Sequence, residues 1–315
     1  MDRRELERVQ ADTGFRQRSL EYAYHAARIA KGLSEEPRLA GRYALKGGTA
    51  LGLCYLGMAR LSMDVDLNYV GSVSKETMSR ERDADRPVMR EGIAAIGPYR
   101  VSSAGARHPL DRYSAQFTGV TGDVGRIKVE VGYLDRLPLL GLVRRRVDTI
   151  FEELGEFEVS TYRLEELAGM KLTTLLGRRS ARDLYDAAAM TEVTMEAEAV
   201  RAAFVVFSCT ARGVGKDPLE ALRRRVAGWP IGEQEAEFGQ LLAESRRWSV
   251  EAARRRVLDW VEGLDLTEAE RKFLSEFHDR GVISREPLHP SITAGLDKHP
   301  GLLWALEQRG EERSG

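Results

Sequence analysis

Cysteine is scarce in this 315-residue chain: Cys54 and Cys209 are the whole complement, and they lie far apart. Two distant thiols make neither a disulfide framework nor a zinc site, and they suit a reducing compartment. The five histidines, His25, His108, His278, His289 and His299, show no metal-ligand spacing and read as structural or surface residues. No apolar run approaches the ~20 residues of a membrane span, and the polar start "MDRRELERVQ" holds no apolar signal core, so a cytoplasmic protein without a membrane partner is expected. Low-complexity tracts and internal repeats are absent too. So are a GxxxxGK[ST] loop, a GxGxxG turn after a strand and a GxSxG elbow, which leaves P-loop, dinucleotide and serine-hydrolase readings without support. Net charge is only −1, so no global positive field draws in nucleic acid.

What is present is an ordinary globular mixture, 43% apolar and 31% charged, long enough for two domains. Residues 15–33 place Leu20, Ala23, Tyr24, Ala27 and Ala30 at helical spacing. "RYALKGG" reads as a short strand or helix end entering a glycine turn, followed by one or two helical turns over 50–56. Residues 59–70 alternate as a strand, 75–96 form a polar helix, and strand-like segments follow near 99–103, 113–119 and 126–133. From about residue 161 the pattern is helical almost throughout. Punctuated strands in front and helices behind predict an α+β fold, a small mixed sheet flanked by helices over 1–155, then a mainly helical domain over 156–315.

The stretch "KGGTALGLCYLGMARLSMDVDLNYVG" (46–71) poses the main chemical question. In a strand, positions i and i+2 share a face and lie ~7 Å apart, so Asp64 and Asp66 project together while Met63, Val65 and Leu67 cover the other side. In "RIKVEVGY" the same alternation separates Ile127, Val129, Val131 and Tyr133 from Lys128 and Glu130. If that strand pairs beside the first, Glu130 joins Asp64 and Asp66. Such pairs also occur on exposed strand edges, where they bind nothing. A cluster of three carboxylates, however, repels itself unless a cation offsets it, and hard divalent ions such as Mg²⁺ are the natural partner. A calcium loop is excluded because Tyr69 and Lys75 stand where glycine and glutamate are needed.

Gly47-Gly48-Thr49 opens a short helix, a geometry that lets backbone N–H groups approach a phosphate, with Thr49 as N-cap or hydroxyl donor. In residues 163–179, Lys171 falls on the stripe of Leu164, Leu167, Ala168, Leu172 and Leu175, so it either snorkels outward or points into a cleft. Arg182 and Asp186, four residues apart, read as an ordinary surface pair. Arginine runs at 144–146, 178–179, 223–225, 246–247 and 254–256 read as solvated faces balanced by glutamates, with a phosphate-binding patch as the alternative. Trp229, Trp248, Trp260 and Trp304 read as packing residues, Trp248 keeping a base-stacking alternative beside Arg246-Arg247.

Taken in order, "LKGGTAL" (45–51), "RLSMDVDL" (60–67), "IKVEV" (127–131), "EELAGMKL" (165–172), "RDLYD" (182–186) and "KHPGLLWAL" (298–306) resemble the nucleotidyltransferase-β superfamily, and within it the AbiEii-type toxins of abortive-infection and toxin–antitoxin pairs. The resemblance implies a metal-dependent nucleotidyltransferase fold, with Mg²⁺ or Mn²⁺ on Asp64, Asp66 and Glu130. It places an NTP against Lys46, Gly47, Gly48, Thr49 and Ser62, phosphate contact at Lys171, and Asp183 completing the pocket. The implied partners are an RNA acceptor, a tRNA 3′ end above all, and a cognate antitoxin. Glutamate rather than aspartate at position 130 is a departure, and Gly52 and Gly57 shorten the connecting helix. Two rival readings remain open: a phosphotransferase or protein-modifying enzyme on the same fold, and a non-catalytic nucleotide-binding regulator.

Overall fold

The computed structural model describes residues 1–103, 109–147, 149–230, 238–245, 248–292 and 295–314; His108 and the Arg246-Arg247 run lie outside them. The chain divides into two compact units. The first comprises Met1–Arg136, Leu142–Thr161 and Phe238–Arg247, the second Leu137–Gly141, Tyr162–Glu237 and Trp248–Gly315.

The first unit is built on a seven-stranded mixed sheet. Its strands are β1 (Tyr43–Lys46), β2 (Asp64–Tyr69), β3 (Arg100–Ser103), β4 (Leu110–Thr118), β5 (Val124–Gly132), β6 (Leu142–Val147) and β7 (Phe157–Tyr162), in the order β3-β4-β5-β2-β1-β7-β6. β2 lies antiparallel to β1 and parallel to β5, and the β4–β5 hairpin is antiparallel throughout. Helices α1 (Arg3–Thr13), α2 (Gln17–Ser34), α3 (Gly47–Cys54) and α4 (Lys75–Ile96) complete it.

Strand alternation divides the sheet into an apolar and a polar face. Val65, Leu67, Ile127, Val129, Val131, Tyr113, Ala115 and Phe117 are buried on one side, against the stripe of α2 formed by Leu20, Ala23, Tyr24, Ala27 and Ala30 and against α4. Each large apolar side chain removed from water there contributes about 1.5–3 kcal/mol. Helix α4 carries a thinner apolar stripe and is pinned by charge instead. Arg82 and Arg86 each donate two hydrogen bonds to the buried Asp111 of β4, at 2.6–3.2 Å, and the Tyr133 hydroxyl donates a fifth at 3.0 Å. That buried carboxylate is tolerated because its lone pairs are met by charged and hydroxyl donors.

The second unit is helical: α5 (Leu164–Gly177), α6 (Ala181–Met190), α7 (Ala197–Ser208), α8 (Pro218–Ala227), α9 (Val250–Glu262), α10 (Glu268–Ser275) and α11 (Pro300–Ser314). Caps fix several starts: Asp217 with Pro218 at the first position of α8, Ser249 on α9, and a reciprocal Thr267–Glu270 capping box on α10. Glu270 is fully buried and pairs with Arg201 of α7 at 2.9 Å. Helices α5 and α7 cross closely enough that only glycine fits at 169. A side chain there would meet the Phe204 backbone nitrogen at 2.7 Å and the Ala203 Cβ at 2.8 Å.

The α+β architecture expected from the sequence is the one observed. Strand β2 begins at Asp64 rather than near 59, because the preceding segment leaves the ladder: the Leu61 N–H donates to the Leu241 carbonyl and Arg60 turns back onto the Leu61 carbonyl. The expected boundary near 155 falls before β7, which belongs to the sheet, and 238–247 returns to the first unit.

Gly169→Val is expected to force α5 and α7 apart and destabilise the fold by about 1–3 kcal/mol. A lowered urea midpoint measures it; an unchanged midpoint would mean the crossing is looser than described.

Candidate active site

The polar face of the sheet begins with the pairing of β2. Asp66 stands opposite Lys46 of β1 on one side and Glu130 of β5 on the other, and Glu130 stands opposite Arg112 of β4. Lys46, Asp66, Glu130 and Arg112 therefore form one row across four strands. Asp64, two residues from Asp66 on the same face, stands opposite Lys128. All three carboxylates singled out in the sequence share this face.

Their electrostatic environments differ. Burial raises the Asp66 pKa; Lys46 works against that rise, and the negative charges of Asp64 and Glu130 add to it. Burial acts in the same direction on Glu130, but there the hydrogen bond from Arg112 and the charge of Lys128 prevail, and its carboxyl is held below the ordinary range. The Arg112 Nε lies 2.7 Å from Glu130 Oε1 and the Lys128 Nζ 3.4 Å from Oε2. Glu130 is thus level with Asp66 yet already balanced by two cations, while Asp66 is a carboxylate crowded by like charge.

Above Asp66 sits the glycine turn. Lys46 ends β1 in extended conformation and Gly47 takes φ +67°, a left-handed value that favours glycine. A Cβ on Gly47 would lie 2.6 Å from Asp66 Oδ2, and one on Gly48 would overlap the guanidinium of the buried Arg60. Both glycines bring backbone close to charged groups. No side chain caps α3, so Lys46 is its N-cap and Thr49 does not fill the capping role considered for it. Thr49 is buried inside the helix instead. Its hydroxyl donates to the Asp64 carbonyl and lies 2.8 Å from the Ser62 Oγ, tying α3 to the strand that carries the acids.

Three residues of this neighbourhood escaped the sequence reading. Arg60 packs on Gly48. Asn68 and the Lys46 ammonium cover Gly132, whose missing Cβ would lie 2.5 Å from Asn68 Oδ1 and 3.3 Å from Lys46 Nζ. Arg112 pairs with Glu130. A basic residue four positions before an Asp-x-Asp strand, or a glycine ending the opposite strand, is the only trace these leave in sequence.

The second unit holds a separate charged cluster. Lys171 is buried and its ammonium lies 2.9 Å from both Asp183 Oδ1 and Asp186 Oδ2. Arg178 Nε adds a bond to Asp183 at 2.7 Å. Burial would raise the Asp183 pKa, but Lys171 and Arg178 outweigh it and hold the carboxyl below its ordinary value. Asp186 is correspondingly not the exposed partner expected of it: it is buried against Lys171.

The arginine runs are largely engaged in the manner of solvated faces. Arg144 pairs with Glu158, Arg146 with Glu156, Arg224 with Glu220, Arg255 with Glu251 and Arg256 with Glu192, while Arg223 donates to the carbonyls of Val261 and Leu264. His25 is structural, sharing a 2.7 Å hydrogen bond with Tyr99, and Trp248 packs edge-on against Tyr185.

A family model described as the nucleotidyl transferase AbiEii toxin of type IV toxin–antitoxin systems matches residues 32–254. Among solved structures the chain is similar to MenT4, a nucleotidyltransferase toxin from Mycobacterium tuberculosis, at 18% identity over 98% of this chain and 99% of that one, with a TM-score of 0.63. At that identity the likeness speaks for the fold. JHP933 from Helicobacter pylori covers 83% of this chain and 95% of its own at 15% identity and a TM-score of 0.48. No curated protein matches the chain by sequence.

Lys171→Met leaves two buried carboxylates short of their shared cation and is expected to cost about 3–5 kcal/mol, read as a lowered urea midpoint. Because Asp183 is held below its unfolded value, the stability it adds is present above about pH 4 and is lost as pH falls through its folded-state pKa. Asp183→Asn should therefore be less stable than wild type at pH 7 and converge with it in acid.

Proposed function

We propose, for a chain that belongs to the AbiEii family of nucleotidyl transferase toxins, that it moves a nucleotidyl group from an NTP to the 3′ end of an RNA, a tRNA being the favoured acceptor. The observation that carries this reading is the row of Lys46, Asp66 and Glu130 beneath the Gly47-Gly48 turn. It supports a site where acidic oxygens and phosphate-facing backbone adjoin.

Whether a divalent cation suits these residues follows from the donor set. Among the described residues no group of three or more His, Cys, Asp or Glu is close enough to hold an ion. Asp64 and Asp66 alone supply hard oxygen donors on one strand face, and crowding of Asp66 by like charge favours a cation there. The pair fits Mg²⁺ or Mn²⁺, with Glu130 as a third acid on release from Arg112. When bound, such an ion supplies Lewis-acid stabilisation of phosphoryl oxygens and lowers the pKa of an acceptor hydroxyl.

The chain's own groups do the rest. Backbone N–H groups at the start of α3, with Lys46 beside them, bind and orient the triphosphate. Thr49, bonded to Ser62 and to the Asp64 carbonyl, holds the turn at a fixed height over the acids. The acceptor hydroxyl oxygen forms a bond to the α-phosphorus, the bond from that phosphorus to the β-phosphate oxygen breaks, and pyrophosphate departs. A carboxylate of the row takes the hydroxyl proton. On the family resemblance, Lys171 of the second unit is a phosphate-contact residue, its ammonium held by Asp183 and Asp186.

The experiment incubates the protein with total RNA, magnesium and each α-labelled NTP in turn, with γ-labelled NTP and nuclease treatment as controls. RNA that gains α-label is the expected product. Label transferred from the γ-position, or resistant to nuclease, would favour the phosphotransferase or protein-modifying reading. Asp66→Asn and chelation by EDTA should each reduce transfer to background. The same substitution removes one of three neighbouring negative charges, so its melting temperature should equal or exceed that of wild type.

A further inference from the structure

Beyond the carboxylate row, the polar face of the sheet continues across β5, β4 and β3, and its character changes from acidic to basic. The registers place Arg126 of β5 opposite Gln116 of β4, and Gln116 opposite Arg100 of β3. One step nearer the acids, Lys128 stands opposite Ser114 and Asp64. Arg100, Arg112, Arg126 and Lys128 are all exposed. Among the described residues Glu130 is the one carboxylate these three strands place on that face. Strand spacing makes the platform from β2 to β3 about 14 Å wide.

We propose that this face of β3, β4 and β5 is the track that holds the phosphodiester backbone of the acceptor RNA and leads its 3′ end toward Asp64 and Asp66. The inference rests on the nucleotidyl-transfer reading and specifies where the acceptor lies. Charge complementarity chooses the occupant: four cations against one carboxylate fit a polyanion, and their spread over three strands fits a chain of phosphates better than a single anion. The face carries serine, glutamine and basic residues and no aromatic ring, so it offers bases nothing to stack on. Binding there is backbone-directed and indifferent to sequence. The row Arg100–Gln116–Arg126 is the part of the track farthest from the acids, which makes it separable from the chemistry.

The test measures fluorescence anisotropy of a labelled single-stranded oligouridylate against the full chain without NTP, over a range of salt. Arg100→Glu/Arg126→Glu is expected to weaken binding at least ~10-fold and to flatten the dependence of log K on log salt by about 1.4, two phosphate contacts at ~0.7 each. Arg100→Gln/Arg126→Gln should show a smaller loss of the same kind. Both variants should match wild type in melting temperature and in thermal shift with an NTP. Unchanged RNA affinity and salt slope in the charge-reversed variant would overturn the track, even with transfer activity intact. Equal affinity of wild type for polyglutamate would overturn the choice of RNA in favour of an acidic protein. RNA bound as described but never labelled by any NTP would overturn the transfer reading and leave the track standing.

Discussion

Everything at this site depends on strand β2 being held between two neighbours of opposite sense. Antiparallel pairing to β1 sets Lys46 against Asp66, and parallel pairing to β5 sets Glu130 against the same residue. A slip of one residue on either side would turn the acids into the apolar face and Val65 or Val129 out of it. Burial of those valines against α2 therefore fixes the register that assembles the charges. The hydrophobic side of the sheet is what gives the polar side its geometry.

The same strand also determines what stands above the acids. Because β1 ends at Lys46 and turns through Gly47 at a positive φ, helix α3 starts directly over Asp66. The Thr49 hydroxyl bonds to the Asp64 backbone and Ser62, so turn and strand are locked as one piece. Side chains larger than hydrogen at 47, 48 or 132 would displace Asp66, Arg60 or the Asn68 and Lys46 tips. Charge is arranged in the same graded way: acid at β2, acid neutralised by base at Glu130, then base across β4 and β3.

Much of this was legible in the sequence where local pattern and tertiary role coincide. The alternation of "DVDLNY" and "RIKVEVGY" announced both strands and the face of each acid, and α2 and α4 were visible in their spacing. Elements whose apolar signal is thin were missed. Helix α1 buries only Leu6 and Val9. Strand β6, "LVRRRV", is an edge with one buried residue, so its arginines read as a charge run rather than as a ladder. Side-chain partnerships were harder still. That Asp186 turns inward to Lys171, that Arg112 neutralises Glu130 and that Arg60 rests on Gly48 each depend on long-range packing, which periodicity does not encode.

The most direct measurement is calorimetric titration of a non-hydrolysable NTP analogue into wild type and into Asp64→Asn/Asp66→Asn, in magnesium and in EDTA. Tight binding by wild type in magnesium alone, lost in the double variant while its fold is retained, is the expected result. Equal affinity in both proteins, or in both buffers, would contradict the assignment of the paired aspartates and the glycine turn to one cation-dependent triphosphate site.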